Sequence, residues 1–553
     1  MNITLPLSLI LYPIAAFLVY FPSLNGGAIF DDLDILQNVE KFRWEWRYIL
    51  IRFRPLTLIS YALQKIWPGT MRSLHIVNIC LHAINGLIVE QIARTIGFDV
   101  GLATLAGLLF VVHPFAANTT GYITGRASLI SCGFGLFAAW LILSGWGWLS
   151  PLFLFLAVLG KEDAAGFVPL AILLALWVSA WVLAIVLGAA AIAVALWARV
   201  RLRKWRIGNG DLPMSRIGLP VAHRPMPQAV TVLLETVKRL PLWFVGQGQS
   251  PYHGSGIPVP GLKSWLQSIC ILPLIAVTCA MAPIPMLFVL FGPWLVYLLC
   301  PVPDQLAEYR NYSKVAGFAL ILVSVFNEPW TYPALVWLTA FAYCGAATAL
   351  YAYHWSDPLT MWQTALVHTS GDPSRAHQEV GAYYKLRGEN STAKIYFQEA
   401  IRLNPRLGPA INNLAWILWQ ENKQKEALIT MQLCTERCAM YPLGWEEYGS
   451  MLDLLGRHQE AIAAYQLAID IDPKMARSSN RLGLVAFQAK QLDTAAEWFD
   501  KALKVQPEHF EYIYNRAMVF KAQGAIDKAK EWFSRLPQPL PVTREMIHPN
   551  AVS

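Results

Sequence analysis

The chain has 553 residues, of which 55% are hydrophobic and only 14% are charged. A soluble globular protein carries about 25% charged residues, so this composition excludes one, and 12% aromatic residues exclude a disordered chain. The net charge of +8 comes from 44 Lys and Arg residues against 36 Asp and Glu residues. Nearly every long apolar run lies before about residue 353, and the rest of the chain is rich in charge. The sequence therefore predicts a polytopic membrane domain followed by a soluble domain.

The apolar runs predict about eleven membrane-spanning helices, because a bilayer core needs about 20 apolar residues per helix. The first run is interpreted as a span, since it lacks the basic start and the cleavage site of a signal peptide. Long polar loops at 22–73 and 200–265 interrupt the membrane domain, which we assign to residues 1–353. The predicted spans lie near residues 5–21, 74–96, 100–113, 122–142, 146–160, 164–180, 181–199, 266–284, 285–300, 314–327 and 331–353.

Eleven spans place the loops after the odd-numbered spans on one face of the membrane, together with the C-terminal half. Nearly all polar and titratable residues of the domain gather on that face, and Arg94, Asp99 and Glu328 are the obvious exceptions. A transporter places such residues near the midplane, so this distribution favours an enzyme open to one compartment. Counting Lys and Arg in the loops assigns the crowded face to the cytoplasm, although that rule is weakest for long loops.

A basic stretch runs from Arg199 to Arg239 in the second long loop and the residues beside it. Such charge attracts anionic lipid headgroups. No nucleic-acid-binding fold accompanies it, so we expect a lipid bilayer and no nucleic acid among the partners. None of the 8 cysteines forms a CxxC pair, and the spacing therefore indicates neither a zinc site nor a disulfide framework.

A 34-residue period begins at Ser374, and this is the length of the helix-turn-helix tetratricopeptide repeat. Small residues let paired helices approach closely while large ones fill the layer between them, so both kinds must repeat together. We predict about five repeats over 374–540, after a linker at 354–373 and before a tail at 541–553. Three sets of residues recur at this spacing: Ala393, Ala427, Ala461, Ala495 and Ala529; Gly381, Ala415, Gly449, Gly483 and Ala517; and Phe397, Met431, Tyr465, Phe499 and Phe533. The fold class is accordingly all-α throughout.

Such a solenoid presents a concave groove for a peptide or protein. The repeats therefore predict a protein partner or a protein substrate. A spacer or an oligomerisation module is the alternative that the repeat pattern leaves open.

The first long loop begins with a Gly26-Gly27 turn and then places Asp31 and Asp32 side by side. Adjacent carboxylates at a membrane surface suit a general base or a divalent cation site, because one raises the pKa of the other. An Asp pair at a helix start also serves as an N-cap, so the pair by itself does not decide between these roles.

Further polar residues interrupt the apolar runs on the same face. Arg126 follows His113-Pro114 and a polar turn, at the entry to the next span. An arginine at the hydrocarbon edge is costly without an anionic partner, and a lipid-linked phosphate is one such partner. Snorkelling of the side chain to the headgroups is the alternative. The other candidate residues on this face are Lys161, Glu162, Glu308, Arg310 and Tyr312.

The order of these motifs resembles that of a known family. The chain resembles the TMTC-type proteins in the order of its short motifs. These motifs are FDD in the first loop, HP and then GR, KE, ExRxY, and Trp355-Ser356-Asp357 with Met361-Trp362 before the repeats. The TMTC-type proteins are transmembrane proteins with C-terminal tetratricopeptide repeats, and they resemble protein O-mannosyltransferases of the glycosyltransferase C superfamily. The chain has fewer repeats than the animal proteins, and its 200–265 loop fits no family pattern.

The resemblance implies an inverting membrane glycosyltransferase that uses a polyprenyl-phosphate-linked sugar and glycosylates Ser or Thr hydroxyls of an acceptor protein held by the repeats. It implies an Asp31 or Asp32 carboxylate as the catalytic group. Arg126, Lys161 and Arg310 are then expected to bind the donor phosphate. The supporting residues are expected to be His113, Glu162, Glu308 and Tyr312.

The same resemblance implies a site on the extracytoplasmic face. We expect a bacterial inner membrane with loops and repeats facing the periplasm, or an endoplasmic reticulum membrane with lumenal repeats in a eukaryote. The alternative function is a non-catalytic membrane scaffold, whose repeats recruit an envelope or secretion complex.

Overall fold

The computed structural model describes residues 7–26, 54–64, 71–161, 164, 167–188, 312, 315–317, 319–320, 334–368, 372–537, 543 and 546–547. Every regular element that is assigned bounds in these residues is a helix, which confirms the all-α prediction. The chain divides into two compact units between Tyr383 and Tyr384. The predicted domain boundaries at residues 353 and 373 stay predictions.

The helices of the membrane half follow the apolar runs closely. Among the described residues, three helical stretches are long and apolar enough to cross a membrane: Ser8–Asn25, Met71–Thr95 and Ile123–Leu143. The count of about eleven spans stays a prediction, since the runs at 266–284 and 285–300 lie outside the described residues. The helices are α1 (Ser8–Tyr20), α2 (Pro55–Gln64), α3 (Met71–Thr95), α4 (Val100–Val112), α5 (Ala117–Gly121), α6 (Arg126–Leu143), α7 (Ser150–Gly160), α8 (Phe167–Trp177) and α9 (Ala334–His354).

Helix α4 shows how the local sequence sets the ends of a membrane helix. The Asp99 side chain accepts hydrogen bonds from the backbone N–H groups of Gly101 (2.7 Å) and Leu102 (3.1 Å), so it caps the N-terminus. At the other end His113 is extended, as a residue before proline prefers to be. Asp99, an exception to the one-sided placement of charge, therefore has a structural role.

A buried carboxylate ties α1, α3 and α4 together. Glu90 is fully buried and accepts a hydrogen bond from the Tyr12 hydroxyl (2.8 Å) and another from Thr104 (3.3 Å). Arg94, one turn further along α3, forms a salt bridge with the same carboxylate. The charge of Glu90 is therefore neutralised inside the bundle.

Part of the first long loop is helical and packs on the membrane helices. Helix α2 donates a hydrogen bond from the Thr57 hydroxyl to the Gly160 carbonyl at the end of α7 (2.8 Å). The Tyr61 hydroxyl donates to the Ile123 carbonyl just before α6 (2.6 Å). Helix α2 therefore joins the two segments that precede Arg126 and Lys161.

The C-terminal half consists of paired helices at the predicted period. Gly449 and Gly483 each lie against the bulky residue sixteen positions later, since an added Cβ would come within 2.9 Å of the Tyr465 ring and 2.6 Å of the Phe499 ring. After the short helix α10 (Pro358–His368), the repeat helices are α11 (Ser374–Leu386), α12 (Asn390–Leu403), α13 (Gly408–Gln420), α14 (Gln424–Arg437), α15 (Pro442–Leu454), α16 (His458–Ile471), α17 (Ala476–Gln488), α18 (Leu492–Val505), α19 (Phe510–Ala522) and α20 (Ile526–Phe533).

Neighbouring repeats are also joined through polar groups. The Glu446 carboxylate on α15 is buried and accepts hydrogen bonds from the backbone N–H (3.0 Å) and the hydroxyl (2.6 Å) of Ser478 in the first turn of α17. In the same way the Asn515 side chain on α19 accepts a bond from the N–H of Ile547 (2.7 Å). Residue 547 lies as far beyond Asn515 as Ser478 lies beyond Glu446, and Ile547 of the tail is buried against α19.

Burial raises the pKa of the Glu446 carboxyl above its ordinary value of 4.5, although the bonds from Ser478 act in the opposite direction. The folded state thus holds this proton more tightly than the unfolded chain. Its contribution to stability is fully present below about pH 4.5 and is lost as the pH rises through the folded-state value. We expect Glu446→Gln to gain melting temperature relative to the wild type between about pH 4 and pH 8.

The matched control is Glu460→Gln. Its hydrogen bond from Arg457 lowers the pKa of the exposed Glu460 carboxyl, so any trend there should run the opposite way. Thermal unfolding of the detergent-solubilised chain at both pH values measures the two differences. Equal trends for the two variants would contradict the role of burial.

Candidate functional site

Helix α3 carries a stripe of polar residues along one face of a membrane-spanning helix. His75, Asn78, His82 and Asn85 recur every three or four residues and are at most 2% exposed. Polar side chains at membrane depth face the bundle interior and mark functional positions. The sequence analysis did not single out this stripe, although its spacing within an apolar run was a readable signal.

Asn78 and the backbone of α3 hold the predicted phosphate-binding Arg126. This side chain is fully buried, and its Nε donates to the Asn78 amide oxygen (2.9 Å). One Nη donates to the Leu74 carbonyl (2.9 Å), and the Tyr61 ring centroid lies 4.2 Å from the guanidinium carbon. Asn78 itself donates to the carbonyl of Tyr122 (3.0 Å), so it also fixes the turn before α6.

The positive charge of Arg126 has no acidic partner in the part of the chain that the structure describes. Its Nη1 atom is buried and forms no hydrogen bond with the residues that the structure describes. A buried charge that is only partly hydrogen-bonded is costly, and an anion offsets that cost. The geometry therefore leaves one donor nitrogen of Arg126 available for an anionic oxygen.

Lys161 lies beside the same helix turn. Its ammonium is buried and donates to the hydroxyl of Ser128 (2.7 Å), two residues after Arg126 in the first turn of α6. The N-terminus of a helix carries partial positive charge, so two cations there further favour an anion. The structure thus brings Arg126 and Lys161 together at one end of α6. Glu162 lies outside the described residues.

Tyr312 is anchored in the centre of the bundle by the same stripe. The His82 Nε2 lies 3.0 Å from the Val111 carbonyl, which can only accept, so this nitrogen carries the proton. The Tyr312 hydroxyl therefore donates to the His82 Nδ1 (2.5 Å), and it accepts from the Asn85 amide (3.2 Å). Tyr312 is therefore tied to α3 through two hydrogen bonds.

The remaining predicted residues are placed as follows. His113 is buried at the end of α4, two residues after the Val111 carbonyl that binds His82. Among the described residues, no group of three or more His, Cys, Asp or Glu side chains could hold a metal ion. The following predicted residues lie outside the described residues, and their roles stay predictions: Asp31, Asp32, Glu308 and Arg310.

The tryptophan of the Trp355-Ser356-Asp357 motif packs beside the stripe. The Trp355 side chain is 1% exposed, and its ring centroid lies 5.2 Å from that of Tyr122. A Cβ on Gly121 would lie 3.1 Å from the same ring, and one on Gly26 would lie 2.5 Å from the Trp355 carbonyl oxygen. Trp355 therefore connects the end of α9 to the start of the first loop and to the turn before Arg126.

Comparisons with known proteins agree with the repeat assignment and with the resemblance. The tetratricopeptide repeat family model matches residues 439–476, 455–504 and 480–541. Protein O-mannosyl-transferase Tmtc2 of Drosophila melanogaster is 29% identical over 136 residues, which cover 21% of this chain and 14% of that protein. Protein O-mannosyl-transferase Tmtc1 of the same organism is 31% identical over 135 residues, 21% of this chain and 16% of that protein.

Two further proteins are similar to parts of this chain. Human tetratricopeptide repeat protein 6 is 34% identical over 70 residues, 13% of this chain and 14% of that protein. A solved structure of Pseudomonas aeruginosa pilF shares 22% identity with a TM-score of 0.29, over 31% of this chain and 78% of that one. The matches with the three curated relatives span at most 16% of each relative's length. The repeat family match and these partial matches confirm the resemblance to TMTC-type repeat proteins.

Replacing Tyr312 by phenylalanine tests the anchor. Tyr312→Phe keeps the ring contacts with Phe110 (centroids 5.4 Å apart) and His82 but removes the hydroxyl, leaving the His82 Nδ1 buried without a donor. We expect a loss of about 1 to 3 kcal/mol of stability, measured by denaturation of the purified chain. His82→Gln retains a donor for Val111, so the double variant should lose less than the sum of the two single losses.

Tyr353→Phe is the matched control because Tyr353 is exposed on α9. It should leave stability unchanged. If Tyr312→Phe behaved like this control, or if the two losses simply added, the hydrogen bond between Tyr312 and His82 would not be the anchor.

Proposed function

We propose that this chain is a membrane glycosyltransferase that transfers a sugar from a polyprenyl-phosphate donor to Ser or Thr hydroxyls of an acceptor protein. The observation that carries this proposal is the buried Arg126 guanidinium, which has no acidic partner among the described residues and keeps one Nη1 without a hydrogen bond. The names of the O-mannosyl-transferase relatives support the same reaction class.

A lipid-linked phosphate would supply the anionic hydrogen-bond acceptor that the Arg126 Nη1 lacks among the described residues. Phosphate oxygens accept charge-assisted hydrogen bonds from guanidinium groups, which are stronger than neutral ones. The phosphate of a polyprenyl lipid also lies near the membrane surface, and the sequence predicts that Arg126 lies at the entry to a membrane span. Lys161, bonded to Ser128 in that turn, adds a second positive charge to the same place.

In the proposed reaction, an Asp31 or Asp32 carboxylate accepts the proton of the acceptor hydroxyl as its oxygen attacks the anomeric carbon. The bond between that carbon and the phosphate oxygen breaks with inversion, and the lipid phosphate leaves as an anion. Arg126, Lys161 and Arg310 stabilise that anion, and a single well-placed donor contributes about 3 to 4 kcal/mol. The sugar need not be mannose.

The repeats are proposed to hold the acceptor protein. Binding there raises the effective concentration of its hydroxyl groups near the membrane site. The site and the repeats are proposed to face the periplasm of a bacterial inner membrane, or the lumen of the endoplasmic reticulum in a eukaryote.

Asparagine substitutions test the catalytic assignment. Asp31→Asn or Asp32→Asn should lower the transfer rate at least about a hundredfold, since the lost group is the general base. Asp99→Asn is the matched control, because asparagine caps a helix as well as aspartate does and Asp99 is the cap of α4. Transfer is measured as labelled sugar on protein, with membrane insertion verified for each variant. Wild-type rates in both first-loop variants would refute the assignment.

A non-catalytic scaffold is the second candidate function. The contacts of Arg126 with Asn78, Leu74 and Tyr61 also fit a structural link between α3 and α6. In a scaffold the repeats recruit a complex and no sugar is transferred.

Truncation after Glu389 discriminates between the two functions, because the first compact unit ends at Tyr383 and is retained. For the transferase we expect loss of protein glycosylation with undiminished hydrolysis of the lipid-linked sugar. Protein glycosylation is measured by glycoproteomics of cells that contain the full chain, the truncated chain or no chain. Hydrolysis of the lipid-linked sugar is measured as release of lipid phosphate. A scaffold leaves no sugar on any co-purifying protein, and undiminished protein glycosylation by the truncated chain would exclude the role of the repeats.

A further inference from the structure

A second buried polar atom without a partner lies on the helix turn that holds Arg126. The His75 side chain is 1% exposed, and its Nδ1 forms no hydrogen bond with any residue that the structure describes. Arg126 binds the Leu74 carbonyl one residue before His75 and the Asn78 side chain three residues after it. An unsatisfied acceptor or donor at such depth is costly, so each of the two atoms is expected to have a partner when a ligand is bound.

The hydrogen bonding of His75 decides which of its nitrogens carries the proton. Its Nε2 lies 3.3 Å from the Gly26 carbonyl oxygen, which can only accept. The proton therefore sits on Nε2, and Nδ1 of the neutral ring presents a lone pair. Arg126 Nη1, which belongs to the guanidinium bound to the same turn of α3, presents N–H donors. The two atoms form a complementary pair, one for an anionic oxygen and one for a hydroxyl hydrogen.

The orientation of the imidazole is fixed by the backbone at Gly26. A Cβ on Gly26 would lie 3.0 Å from the His75 Nε2 and 2.5 Å from the Trp355 carbonyl oxygen, so only glycine lets the chain pass this close. The Arg126 guanidinium on the same turn of α3 disfavours a metal ion at Nδ1. A hydrogen-bond donor fits the buried lone pair there, and a hydroxyl group is one such donor.

We propose that His75 and Arg126 together bind a phosphate ester whose neighbouring group carries a hydroxyl, with the phosphate oxygen on Arg126 Nη1 and the hydroxyl on His75 Nδ1. This assignment of His75 rests on the proposed function. The hydroxyl belongs to the sugar of the donor lipid or to the acceptor residue, and the two sources give different results below.

Two substitutions distinguish the role of the His75 Nε2 from the role of its Nδ1. His75→Gln keeps a donor near the Nε2 position and so keeps the bond to Gly26, but it lacks the acceptor at Nδ1. His75→Asn keeps an acceptor near the Nδ1 position and loses the bond to Gly26. A purely structural histidine is rescued by glutamine, whereas a ligand-binding histidine is rescued by asparagine.

Binding is measured with the full-length chain in lipid nanodiscs, using polyprenyl phosphate and polyprenyl-phosphate mannose as probes. We expect Arg126→Gln to weaken the binding of both lipids at least about tenfold. If the hydroxyl is that of the sugar, His75→Gln should weaken only the sugar-bearing lipid, by about tenfold, and His75→Asn should restore most of that loss. Melting temperatures of all variants show whether each is folded.

If the hydroxyl comes from the acceptor, His75→Gln leaves both lipid affinities unchanged and raises the KM for an acceptor peptide about tenfold, with rescue again by asparagine. Unchanged lipid binding and unchanged acceptor KM in His75→Gln would overturn the proposal and leave a buried water as the partner of Nδ1. Lipid binding is measured without sugar transfer. If lipid binding depended on His75 and Arg126 but the chain transferred no sugar, the proposed function would be refuted and the binding proposal would stand.

Discussion

The contact of the Arg126 guanidinium with α3 is the interaction on which the membrane half depends most. One side chain at the start of α6 reaches the backbone at Leu74 and the amide of Asn78, and its charge is fully buried. Two hydrogen bonds and the contact with the Tyr61 ring replace only part of its hydration. The residues around Arg126 reduce the free-energy cost of burying its charge. Its Nη1 atom stays without a hydrogen bond among the described residues, which makes this position a candidate anion-binding site.

Two buried charges contact α3, Glu90 and Arg126, and they differ in whether a residue of opposite charge is paired with them. Glu90 has Arg94, Tyr12 and Thr104 as partners, and its charge is neutralised within the bundle. Arg126 lies about 18 Å away along the axis, taking 1.5 Å per residue between positions 78 and 90. It has no acidic partner among the described residues. A paired charge links helices, whereas an unpaired buried charge marks a candidate position for ligand binding.

Helix α3 also brings together residues from distant parts of the chain. Its stripe contacts Gly26 through His75, the turn before α6 through Asn78, and Tyr312 through His82. Each contact is made by a side chain too buried to move without cost. The repeats form a separate unit with their own polar links, such as Glu446 with Ser478, and the resemblance to TMTC-type proteins joins the two parts in one proposed activity.

The sequence by itself determined the all-α class, the positions of the described membrane helices and the 34-residue repeats, because apolar length and helical period are local properties of the chain. It also singled out Arg126, Lys161 and Tyr312 by their charge or their motifs. It did not reveal which residues these contact. His82 and Tyr312 are 230 positions apart, and a contact at that separation depends on packing rather than on local pattern. Only the tertiary structure decided that α3 organises the site and that Arg126 lacks an acidic partner there, since burial and pairing are properties of the folded bundle.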